Sequence, residues 1–104
     1  MRYKEIRSWA KEKGIIDKGD IKTQYIKLQE ECGELADAIL KENKPEIIDA
    51  VGDIIIVLTS LSELGGFKIE TAIETAWLEI SKRKGKMINN SFVKNTDHII
   101  AGTE

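Results

Sequence analysis

Asp53 stands in the most apolar stretch of the sequence, Ala50-Val51-Gly52-Asp53-Ile54-Ile55-Ile56-Val57-Leu58. A lone carboxylate in such surroundings costs on the order of several kcal/mol unless it is paired, protonated or bound to a cation. From Pro45 to Leu64 the chain carries no Lys or Arg to pair with it. The segment reads as a helix. Pro45 suits a first helical residue, where its missing N–H costs nothing, and Gly65-Gly66 marks the stop. The β-branched run Ile54–Leu58 also suits a strand by local propensity, but the capping signals and the long flanking helical pattern decide for helix. A helix apolar nearly all round is buried on more than one side. In a chain of 104 residues the second side is expected to be a partner subunit.

The neighbouring segments follow the same period. Ile6, Trp9 and Ala10 recur at helical spacing over about Arg2–Lys13, and Gly14 sits where a C-terminal cap belongs. Gly14–Asp20 reads as a connector. A second helix is expected from Ile21 to about Glu42, with Asp20 as N-cap and an apolar stripe of Tyr25, Leu28, Cys32, Leu35 and Ile39. After the Asp53 helix, another is expected over Ile69–Lys84, with Ala72, Ile73, Ala76, Trp77 and Ile80 on its apolar face and Gly85 ending it. Lys86–Val93 resembles two short extended pieces around an Asn89-Asn90 turn, since Asn tolerates positive φ. The tail from 95 onward is expected to be loose. The expected architecture is all-α. It is one domain over 1–104, an antiparallel bundle of about four helices with a short C-terminal extended hairpin. Oligomerisation completes its core, as a dimer at least and by pairing of dimers as a tetramer.

Composition narrows the class. Apolar residues make up 41% and charged residues 33%, the balance of a globular chain. Sixteen basic and 18 acidic side chains give a net charge of −2, with no general attraction to nucleic acid or anionic membrane. No apolar run approaches the length of a membrane span. The single cysteine, Cys32, forms no internal disulfide, and the charged N-terminal segment has no apolar signal core. Together these point to a cytoplasmic protein.

Acidic residues gather between Glu30 and Asp53, and basic ones between Lys82 and Lys94. In Glu30-Glu31-Cys32-Gly33-Glu34, residues three apart share a helix face, so Glu31 and Glu34 project together beside the apolar stripe. Glu30 and Asp37 lie further toward solvent. On the next helix Glu46, Asp49 and Asp53 lie along one side. A short connection packs the two helices antiparallel and lets the acidic faces meet at one level. Converging carboxylates repel unless a cation sits between them, and hard oxygen ligands suit Mg²⁺ or Mn²⁺. The chain has no His or Cys cluster for zinc. The other reading of the same residues is a solvated salt-bridge face.

These residues resemble the all-α nucleotide pyrophosphohydrolases of the MazG and dimeric dUTPase-like group. That group carries Glu-Glu-x-x-Glu on one helix and Glu-x-x-Asp on the next. Glu30–Glu34 matches the first half, and Asp53 matches the Asp of the second. The likeness extends from about Trp9 to Val93, and Trp77–Lys94 is similar to the C-terminal part of small stand-alone members, phage-encoded ones included. One position departs: Ala50 stands where the family has Glu, with Asp49 adjacent and one turn from Asp53.

The resemblance implies hydrolysis of a nucleoside triphosphate to the monophosphate and pyrophosphate with Mg²⁺. Glu31, Glu34 and Asp53 would hold the metal, with Asp49 in place of the missing Glu. Glu30 or Glu31 would be the general base. Lys82, Arg83, Lys84 and Lys86 would bind phosphates, and Asn89 would contact the nucleotide. Basic residues at a helix end are also favoured by the helix dipole alone. Two alternatives stay open, phosphoribosyl-ATP hydrolysis and a non-catalytic helical dimerisation or regulatory module. Ala50 favours the latter.

Four further expectations are structural. Cys32 reads as a small core residue. Trp9 and Trp77 read as core packing, with stacking on a base as the alternative. Gly33 and Gly52 suggest close helix–helix approach. His98 is expected to be exposed in the tail.

Overall fold

The computed structural model describes residues 1–94; the expected loose tail and His98 lie outside the described residues. Among the described residues five helices are followed by a two-stranded hairpin, which agrees with the expected all-α class and hairpin. Two compact units lie along the chain, Met1–Ala72 and the residues from Ile73 onward.

In the first unit, α1 spans Tyr3–Glu12 and α2 is a single turn, Ile15–Lys18. The expected plain connector therefore contains helix. Gly14 turns the chain with a left-handed φ of 81°, and Lys18 and Gly19 donate to the carbonyls of Gly14 and Ile15. Helix α3 spans Ile21–Leu40, and its first turn is capped by Asp20, which accepts from the Thr23 N–H at 2.8 Å.

Three residues then reverse the chain. Asn43 and Glu42 donate their N–H groups to the Ala38 and Ile39 carbonyls, closing α3 with the paired bonds of a Schellman turn. Glu42 takes the left-handed position at φ 55°. Asn43 then caps α4, Lys44–Leu64, by accepting from the Glu46 N–H at 3.2 Å. One short segment thus ends one helix, starts the next and folds α4 back along α3. Pro45 sits in the first turn of α4, which begins at Lys44, one residue earlier than expected.

The core follows from which faces meet. On α3 the least exposed residues are Gln24, Leu28, Glu31, Leu35 and Ala38, at heptad-like spacing. This stripe is rotated from the expected one. Leu28 and Leu35 belong to both, but Tyr25, Cys32 and Ile39 are exposed. Cys32 is therefore not a core residue within this chain. Two adjacent stripes run along α3, and hydrophobicity alone does not say which one α4 covers. On α4, Ala50, Val57, Thr59, Ser60 and Ser62 are buried. The three hydroxyls donate to the carbonyls one turn back, Ile55, Ile56 and Leu58, so small polar side chains are buried without an unmet bond. They leave room for α1, whose Ala10 is fully buried. Arg7 of α1 reaches Glu63 at the end of α4 and Glu70 in the first turn of α5.

Two further packing expectations are corrected. Trp9 is 45% and Trp77 is 56% exposed, so neither is a core residue. A Cβ added at Gly33 or Gly52 would meet nothing within 4 Å, so neither glycine serves close helix approach inside the chain.

Helix α5 spans Ile69–Ile80 and ends four residues before the expected Lys84. Ser81, Lys82 and Arg83 close it with turn hydrogen bonds to Trp77, Glu79 and Ile80. The chain must become extended before Gly85, because Gly85 already pairs with Lys94 in the hairpin and a Cβ there would collide with the Val93 carbonyl. Strands β1, Gly85–Ile88, and β2, Ser91–Lys94, are antiparallel. Asn89 and Asn90 both have positive φ, 49° and 68°, as the tight two-residue turn requires. No described helix is long and apolar enough to cross a membrane.

Candidate metal centre

Helices α3 and α4 bring Glu31, Glu34 and Asp53 together, with one carboxylate oxygen from each lying within 4.8 Å of the others. Heptad-like pairing of the two helices produces the meeting. Glu31 occupies a core position on α3, only 6% exposed. Glu34 is one turn on and faces solvent, and Asp53 is half-buried on α4.

The electrostatics of the cluster are unresolved within the protein. Glu34 is raised above the ordinary carboxylate value by the Glu31 carboxylate close beside it. Asp53 is raised first by burial, then by the charges of Asp49 and Glu31. Glu31 splits its two oxygens between different surroundings. Oε1 receives Lys27 Nζ at 3.2 Å, while Oε2 is buried and has no hydrogen-bond partner. A buried carboxylate oxygen without a donor is costly. All-oxygen donors, mutual repulsion and an orphaned inner oxygen are what a hard divalent cation would relieve, so the residues fit such an ion.

Beside the cluster lies a cavity of about 480 Å³. Glu31, Asp53 and Lys27 are its charged lining residues, and Trp9, Ile15 and Ile56 are among its apolar ones. A mostly apolar concavity with a few convergent charged groups is the usual form of a small-molecule site. On the other side of the cluster, Glu34, Asp37, Lys41, Glu46, Asp49 and Ala50 line a polar cleft of about 360 Å³.

Each expected site residue has a definite place. Glu31, Glu34 and Asp53 converge. Asp49 is outside that trio but near enough to add to the charge felt by Asp53. Ala50 is buried at 4% exposure, and Glu30 is exposed, with Lys27 Nζ at 3.6 Å. The basic group belongs to the second unit. Lys82 is in the turn after α5, Arg83 and Lys84 are in the link to β1, Lys86 is on β1 and Asn89 is in the hairpin turn, all exposed. Because α5 ends at Ile80, the helix-dipole explanation for Lys84 falls away.

Lys27 and the cavity wall of Trp9 and Ile15 were not evident from the sequence. A signal for Lys27 exists: it precedes Glu31 by four residues, the spacing of a helical ion pair. The wall depends on α1 and α2 packing back onto α4, which no local pattern encodes.

The fold and site define a helical domain with a carboxylate cluster at the mouth of a ligand-sized cavity. Residues 20–88 match the MazG nucleotide pyrophosphohydrolase domain, and the chain belongs to that family of hydrolases acting on phosphoanhydride bonds. A curated relative is the "uncharacterized 18.2 kDa protein in rep-hol intergenic region" of Haemophilus phage HP1 (strain HP1c1). It is 38% identical over 61 residues, which cover 58% of this chain and 37% of that protein. The match therefore spans little more than a third of the relative's length. No solved structure matches.

Proposed function

We propose that this chain hydrolyses nucleoside triphosphates to the monophosphate and pyrophosphate, with Mg²⁺ held by Glu31, Glu34 and Asp53. Mn²⁺ is the natural substitute. The observation that carries the reading is the buried Glu31 Oε2, unpartnered among three converging carboxylates beside a 480 Å³ cavity. When bound, the ion neutralises phosphate charge and lowers the pKa of a water. Water attacks the α-phosphorus, the bond from that phosphorus to the bridging oxygen breaks, and pyrophosphate leaves. Glu31 is favoured over Glu30 as the proton acceptor, because Glu31 faces the cavity and Glu30 is 61% exposed at its side chain.

Asp49, beside Asp53, supplies a fourth negative charge where Ala50 offers none. Lys82, Arg83, Lys84 and Lys86 are proposed to meet the β- and γ-phosphates, and Asn89 the nucleotide. The exposed apolar side chains on α3 and α4, among them Tyr25, Ile26, Ile39, Ile48 and Val51, support a homo-oligomer in which a second copy covers them. A cytoplasmic setting fits the lone exposed cysteine.

The test is pyrophosphate release from a panel of NTPs and dNTPs, with Mg²⁺ and with EDTA, on wild type and Glu34→Gln. Metal-dependent release lost in the variant is the expected result. No release from any triphosphate by the folded, metal-supplied protein contradicts the reading. The weight would then move to phosphoribosyl-ATP or to a non-catalytic helical module.

A further inference from the structure

We propose that Lys27 is a displaceable counter-ion, which holds Glu31 in the metal-free protein and passes to the substrate's phosphates once a divalent cation takes its place. The inference rests on the proposed metal site. Four observations meet at this side chain. Its ammonium lies 3.2 Å from Glu31 Oε1 and 3.6 Å from Glu30 Oε2. It is the one basic residue that bridges to the cluster among the described ion pairs. It lines the 480 Å³ cavity together with Glu31 and Asp53. Its side chain is half exposed, while the carboxylate it holds is buried.

The asymmetry gives the ammonium somewhere to go. Glu31 is fixed by α3–α4 packing, but a half-exposed lysine has a flexible four-carbon stem and a strongly hydrated head. A divalent cation binding Glu31, Glu34 and Asp53 would repel the ammonium and compete with it for Oε1. The ion would bring two positive charges to carboxylates that the ammonium meets with one, so the cluster would keep its compensation after the lysine leaves. Released from Glu31, the ammonium remains at the cavity wall, where a triphosphate brings the next concentration of negative charge.

Titration calorimetry with Mn²⁺ on the full chain tests the first half, comparing wild type, Lys27→Gln, Lys27→Arg and Glu31→Gln. Lys27→Gln is expected to bind Mn²⁺ more tightly, by about two- to fivefold, as fits loss of a competing exposed ion pair. Lys27→Arg is expected to stay near wild type, and Glu31→Gln to lose binding. A merely structural lysine would leave affinity unchanged or lower it, and either result in a folded Lys27→Gln overturns the proposal. The second half is read at saturating metal. Lys27→Gln should raise the triphosphate KM about tenfold, the value of a charge-assisted hydrogen bond, with kcat less affected. An unchanged KM overturns the transfer to phosphate. Failure of wild type to bind Mn²⁺ at all rejects the metal site itself, so the two failures are distinguishable.

Discussion

The first unit holds two charged clusters of opposite design. At one, Arg7 donates two hydrogen bonds to the Glu70 carboxylate and lies 3.6 Å from Glu63. Positive and negative groups alternate, and the bidentate geometry is satisfied. Glu70 is held below the ordinary carboxylate value by that guanidinium. At the other, Glu31, Glu34 and Asp53 converge with only Lys27 against them, and both Glu34 and Asp53 are pushed up. The first cluster is complete within the chain and ties α1 to α4 and α5. At the second, Lys27 is the one cation paired with the carboxylates among the described residues. Unmet electrostatics of this kind mark functional sites more often than structural ones.

Substitution should separate the two most strongly through activity. Asp53→Ala or Glu31→Gln is expected to lower pyrophosphate release by about 10²- to 10³-fold, on the scale of losing a transition-state charge stabiliser. Arg7→Met should leave kcat largely intact and lower the melting temperature by several degrees, because Glu63 and Glu70 lose their partner. Steady-state assays beside thermal melts check both. Comparable activity loss in Arg7→Met would erase the distinction.

The clusters should also respond to pH with opposite signs. Glu34 and Asp53 have raised pKa values in the folded protein, so the native state binds more protons than the unfolded chain between the ordinary and raised values. Metal-free stability therefore falls as pH rises through that window. Glu34→Gln and Asp53→Asn should each raise the metal-free melting temperature at pH 7, with the gain vanishing below about pH 4. Glu70 is lowered, so its contribution is present above the ordinary carboxylate value and is lost as pH falls through its folded value. Glu70→Gln should lower the melting temperature at pH 7 and have little effect in acid. Melts from pH 3 to 8 in EDTA read both.

The smallest expected effect concerns the reversal that aligns α3 with α4. The same closing turn occurs after α4, where Gly66 takes the left-handed position at φ 85°, but Glu42 takes it after α3. Glu42→Gly should stabilise the fold by about 0.5–1 kcal/mol, since a side chain in that conformation is strained. Chemical denaturation measures the difference. A loss of stability would show that the Glu42 side chain contributes more than its backbone strain costs.

Legibility in the sequence followed the range of the forces involved. Asp20, Gly65-Gly66 and Asn89-Asn90 act within a few residues, so one cap, the end of α4 and the hairpin turn could be read directly. The trio of Glu31, Glu34 and Asp53 was legible because helical spacing and a short connection leave those carboxylates little else to do. Which stripe of α3 faces α4 was not, since Leu28 and Leu35 serve either choice and only the partner helix selects Glu31 over Cys32. The early end of α5 was not legible: Gly85 marks a stop, but the chain leaves the helix at Ile80, before it, to bring Gly85 into the hairpin with Lys94. Lys27 was hidden by its ordinariness: its spacing to Glu31 is that of any helical ion pair, and only the burial of Glu31 singles it out.

The central claim is that the acidic cluster is a site for a divalent cation. Thermal melting of wild type and Glu31→Gln at pH 7.5, in EDTA and with excess Mg²⁺ or Mn²⁺, tests it most directly, because an ion that binds only the folded state raises its stability. A rise of several degrees is expected in wild type and none in Glu31→Gln. No rise in wild type, or an equal rise in the variant, would contradict it.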